Sequence, residues 1–154
     1  MKTERLQPLH SVTEETFQSL AFMFSMGPDE SEPAGPLPAI TAVSVAFAGP
    51  FGGRVLLGVC DEMLPSLAGN MLGLEDGQSA TVEQQHDALK ELVNVICGNL
   101  LPAIAGSTEV FHVHPPQVVQ PKPAEGEGLD LSGASATAAL TLDSGLAQVA
   151  LFLE

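Results

Sequence analysis

The chain has 154 residues, 45% of them hydrophobic, with nineteen Asp and Glu against five Lys and Arg, for a formal net charge of -14. That length buries one sizeable core and is too short for two ordinary domains, so residues 1–154 are read as a single domain. The lopsided charge excludes nucleic acid and anionic membrane as partners, because both attract clustered Lys and Arg.

Lys2 and Arg5 have no apolar run behind them, which is not the pattern of a secretory signal. No stretch reaches the eighteen or so unbroken apolar residues of a membrane-spanning helix. A cytoplasmic location is expected. Cys60 and Cys97 are too few for a disulfide framework and sit among apolar neighbours, which points to small buried hydrophobes.

In chain order, Ser11-Val12-Thr13-Glu14 has the pattern of a capping box, and Phe17, Leu20, Ala21 and Phe24 follow at helical spacing. A first helix of about four turns is predicted. It stops at Met26-Gly27-Pro28, before a Pro-rich acidic connector from Asp29 to Pro38. Ile40 to Ala48 and Arg54 to Cys60 are rich in Val and Leu and flank Gly49-Pro50-Phe51-Gly52-Gly53, the arrangement of two antiparallel strands joined by a tight loop. A helix from Asp61 to Leu72 closes on Gly73, and a longer one from about Thr81 to Ile104 closes on Gly106. Ser107 to His114 reads as a strand, Pro115 to Gly128 as a surface loop, and Ala134 to Leu142 and Leu146 to Leu153 as strands around the turn Asp143-Ser144-Gly145. Because strands come in runs, the expected fold class is α+β, an antiparallel sheet with helices packed on one face.

The chemistry is concentrated in the long second helix of this pair. At about 100° per residue, Asp87, Glu91, Asn94 and Gly98 fall within roughly 60° of one another, opposite Leu89, Leu92, Val93, Ile96 and Leu100. Gly98 in that polar stripe costs the helix about 1 kcal/mol relative to Ala, and its missing side chain would let another surface approach.

The chain also repeats itself. Glu62-Met63-Leu64-Pro65-Ser66-Leu67-Ala68-Gly69-Asn70-Met71-Leu72 aligns with Glu91-Leu92-Val93-Asn94-Val95-Ile96-Cys97-Gly98-Asn99-Leu100-Leu101, with Pro65 standing where Asn94 stands. Only the second copy carries a carboxamide at that place. Asn70 and Asn99 are read as structural, bonded to backbone where the two helices meet.

The pattern Glu91-x-x-Asn94, preceded by Asp87 and followed by Gly98-Asn99, resembles the signature of the CheC, CheX and FliY phosphatases, which dephosphorylate the chemotaxis response regulator CheY. Pro50-Phe51-Gly52-Gly53 and Gly69-Asn70-Met71-Leu72-Gly73 also look like segments of the CheX type, and a single intact motif favours CheX. In that family a Pro commonly follows the motif after about twenty-two residues; Pro116 falls one residue short. The resemblance implies a CheC/CheX-like fold, with an antiparallel sheet, two long motif helices on one face and an N-terminal helix. It also implies a homodimer, and the apolar strands from Ala134 to Leu153 have the character to extend a sheet across two chains.

The implied partner is a phosphorylated CheY-like response regulator, whose phospho-aspartate is an activated acyl phosphate. The regulator supplies the Mg²⁺, and the phosphatase needs no cofactor of its own, only a group that sets a water in line with phosphorus. A carboxamide accepts and donates without acting as a strong base, and Asn94 is the candidate for that role. By resemblance, Glu91 would pair with the regulator's active-site Lys, with Asp87 and Gly98 contributing to docking. The rival reading is a non-catalytic adaptor that uses the same helix to bind a regulator or to seat in a flagellar-switch-type assembly. His112 and His114 share a strand face, a possible metal-ligand spacing, but with no third ligand nearby no metal site is expected.

Overall fold

The computed structural model describes residues 8–24, 39–75, 78–120, 129–142 and 145–154. Helix α1 runs Pro8–Ala21 and buries Leu9, Thr13, Thr16, Phe17 and Ala21. It begins before the predicted capping box. Ser11 lies inside the helix and its hydroxyl donates to Pro8 O at 3.2 Å, while Thr13 and Thr16 donate to Leu9 O and Val12 O at 2.7 and 2.8 Å. Each hydroxyl donates to a carbonyl about one turn back inside the helix, so Ser11 does not act as the predicted cap. Phe24, predicted on the apolar face, lies beyond the helix end and is exposed. The cause is Phe22, which turns the chain in the left-handed region at φ 54° and lets Met23 N–H donate to Phe17 O at 3.1 Å. The predicted stop at Met26-Gly27-Pro28 and the connector from Asp29 to Pro38 lie outside the described residues, as do Asp143 and Ser144.

Strands β1 (Ile40–Ala48) and β2 (Gly53–Cys60) pair antiparallel from Ile40 opposite Cys60 to Phe47 opposite Gly53, as the sequence predicts. With β3 (His112–Val113), β4 (Gln117–Val118), β5 (Ala136–Leu142) and β6 (Gly145–Leu153) they form one antiparallel sheet in the order β3-β1-β2-β6-β5, β4 also pairing with β1. Alternation sends Val43, Val45, Phe47, Val55, Leu57, Val59, Val149 and Leu151 to one face, where α1 and the two later helices cover them. Val59 leads into Cys60, against which β6 enters so closely that a side chain at Gly145 would run into Cys60 Sγ.

The other face is partly covered too. Ala42, Leu56 and Ala150 are buried there beneath Val119, Leu129, Leu131, Ala134 and Phe152. The predicted strand from Ser107 to His114 shrinks to His112–Val113, with Val110 83% exposed, and the predicted loop after it holds β4. Pro115 and Pro116 have no N–H to donate, so pairing with β1 is interrupted and resumes after them.

The predicted helix from Asp61 to Leu72 is a 3-10 turn, Asp61–Met63, followed by helix α2, Leu64–Leu72. Pro65 accounts for the break, because its ring fits the first helical turn and not an interior. Gly73 ends α2 at φ 68°, a conformation that glycine adopts without steric cost.

Candidate functional site

Helix α3, Val82–Ala105, opens with a capping box in which Gln84 N–H donates to Thr81 Oγ1 at 3.1 Å and Thr81 N–H donates to Gln84 Oε1 at 2.8 Å. Leu89, Leu92, Val93, Ile96, Cys97 and Leu100 are all fully buried against the sheet and the other helices. By length and apolar content α3 could cross a membrane, but half of its most apolar stretch is buried inside the fold, as in a core helix. Its opposite side presents Asp87, Glu91, Asn94 and Gly98, all exposed on one stripe. Glu91 and Asn94 therefore stand about one turn apart on a helix anchored along its whole rear face.

Among the described residues nothing gives Gly98 a packing reason, since a Cβ there would meet none of them within 4 Å. One turn later Pro102 sits inside the helix and has no N–H to give to Gly98 O. Both residues weaken α3, and both lie on its exposed side.

The related segment is built differently. Glu62 is exposed but belongs to the 3-10 turn, and Pro65 occupies the place of Asn94. Asn70 is structural as predicted, yet its Nδ2 donates at 2.7 Å to Ala21 O, at the end of α1 and not between the motif helices. Asn99 is exposed, and its side chain has no hydrogen bond among the described residues, contrary to the structural role predicted for it.

The two cysteines are free and buried, as expected. Burial pushes the Cys97 thiol up to about 11, so it is protonated near neutral pH. His112 and His114 are exposed with their rings edge to face, centroids 4.8 Å apart, and no group of three metal-ligating side chains occurs among the described residues. Hollows of about 240 and 370 Å³ lie along β1, bordered by His86 and His114 respectively, and neither is lined by Glu91 or Asn94. The site is an exposed helix face. It suits the surface of a protein partner better than a small molecule, which needs a concave pocket.

Residues 41–142 match the family model of the chemotaxis phosphatase CheX. The chain belongs to the CheX family. The matched stretch begins in β1 and ends with β5, and so includes α3 with Glu91 and Asn94. Solved CheX-type structures share the whole fold. CheX from Desulfovibrio desulfuricans superposes with a TM-score of 0.71 at 17% identity, covering 98% of this chain and 99% of that one. CheX from Vibrio vulnificus gives 0.69 at 17% identity, over 98% and 97%. CheX from Borrelia burgdorferi, solved in a complex of CheX, CheY, BeF3 and Mg²⁺, gives 0.62 at 17% identity, over 97% of each chain. No curated protein matches this chain. The α+β architecture expected of the CheC/CheX type, with the motif helices and the N-terminal helix on one face of an antiparallel sheet, is the architecture found.

Proposed function

We propose that this CheX-family chain hydrolyses the phospho-aspartate of a CheY-like response regulator, in chemotaxis or a related two-component pathway of the cytoplasm. The observation that carries the reading is the exposure of Glu91 and Asn94 together on the outer stripe of α3. The complex of the Borrelia burgdorferi relative with CheY supports a regulator as the docking partner. Asn94 orients the attacking water, accepting through Oδ1 and donating through Nδ2, in line with the bond from phosphorus to the aspartyl oxygen. That bond breaks as the water oxygen adds, returning the regulator's aspartate and inorganic phosphate. The Mg²⁺ is the regulator's, and this chain brings no cofactor. Glu91 pairs with the regulator's active-site Lys, and Asp87 and Gly98 complete the docking face. The working form is a homodimer joined through the last strands, for which sedimentation gives twice the chain mass of 16.0 kDa.

The test is phosphate release from a panel of phosphorylated CheY-like receiver domains with Mg²⁺. Wild type accelerates decay, Asn94→Ala loses on the order of 10² in rate while still docking, and Glu91→Ala loses rate through weaker docking. Binding without any acceleration in the wild type identifies an adaptor.

A further inference from the structure

Arg54 and Lys90 are the only Lys or Arg among the described residues. Arg54 is engaged on the outer sheet face, its guanidinium carbon 4.1 Å from the centre of the Phe152 ring. Lys90 is on the docking helix itself. It is half-buried, directly precedes Glu91, and makes no ion pair with any described residue. Helical geometry sets it about 40° to one side of Asn94 and one turn before it, with Glu91 about 60° to the other side. The candidate water-positioning carboxamide is thus flanked by one cation and one anion.

The surroundings of that cation are acidic. Glu83, Asp87 and Glu91 are exposed along the same helix, and the whole chain carries -14. A phosphorylated regulator presents anionic oxygens at the point of contact beside the Lys that Glu91 would meet, and Lys90 is the one described cation on this helix that can pair with them.

We infer that Lys90 is a docking and specificity residue whose ammonium meets an anionic oxygen of the phosphorylated regulator, either of the phosphoryl group or of a carboxylate beside it. The inference deepens the function proposed above and rests on it. Glu91 and Lys90 then read opposite charges on the two sides of the phosphorylation site, which fixes the register in which Asn94 approaches phosphorus. Regulators lacking the anionic partner dock poorly.

The test compares wild type with Lys90→Gln, Lys90→Arg and Lys90→Glu in phosphate release over a range of regulator concentration and ionic strength. Gln and Arg are helix formers like Lys, so the fold is retained, and a thermal melt checks it. Lys90→Gln raises KM about three- to tenfold with kcat within about twofold, Lys90→Glu raises it further, and Lys90→Arg stays near wild type. The fall of kcat/KM with salt is shallower in Lys90→Gln than in wild type. Weakened binding of the phosphorylated regulator alone assigns the oxygen to the phosphoryl group, and equal weakening with the unphosphorylated form assigns it to a carboxylate. Unchanged KM and salt dependence in Lys90→Gln, or loss confined to kcat, overturns the inference. If wild type neither binds nor accelerates decay of any receiver domain, the functional reading itself falls.

Discussion

Asn70 and Asn99 hold matching places in the two related helices, yet Asn70 donates to Ala21 O at 2.7 Å while Asn99 is exposed with no side-chain hydrogen bond among the described residues. One copy of the motif uses its asparagine to hold the end of α1; the other leaves it to solvent. Asn70→Ala strands a helix-terminal carbonyl and is expected to cost about 1 kcal/mol. Asn99→Ala is expected to stay within about 0.5 kcal/mol of wild type. Urea unfolding of both variants measures the difference.

Gly98→Ala should separate stability from function. No described residue lies within reach of a Cβ at Gly98 and its backbone is helical, so the added methyl raises stability by up to about 1 kcal/mol. The same methyl stands on the docking stripe beside Asn94 and holds a partner off. A higher melting temperature together with a larger Kd for the phosphorylated regulator is the expected result, read by calorimetry and titration.

Restoring the missing carboxamide does not create a second site. In an Asn94→Ala background, Pro65→Asn is expected to recover no phosphatase activity, because Glu62 belongs to the 3-10 turn and not to α2. The Glu and the new Asn then lack the one-turn helical relation of Glu91 and Asn94. Phosphate release by the double variant is the measurement.

Cys97 predicts a pH dependence with a definite sign. Burial raises its thiol to about 11 in the folded chain, from an ordinary value near 9.0. The folded state therefore holds the proton longer than the unfolded state does. The contribution is complete below about pH 9 and is lost as pH rises toward about 11, roughly 2–3 kcal/mol in all at about 1.36 kcal/mol per pH unit. Cys97→Ala should show a shallower loss of stability over that range in unfolding titrations, although it starts lower because of the cavity it leaves.

What was legible in the sequence is what local periodicity decides. The spacing of Leu89, Leu92, Val93, Ile96 and Leu100 placed one face of α3 in the core and left Asp87, Glu91, Asn94 and Gly98 outside. Runs of Val and Leu around a Gly-rich loop located β1 and β2 with their pairing. Tertiary structure decided everything that depends on which distant groups meet. Asn70 reaches α1 across 49 positions of sequence, and Leu129 closes over Gly58, the sort of contact that no window of neighbouring residues encodes. Lys90 stands out only once the three-dimensional placement removes Arg54 to the far side of the sheet. Secondary structure follows short-range backbone and side-chain preferences, whereas partners across the fold are chosen by how whole elements pack, which is why the stripe was readable and its surroundings were not.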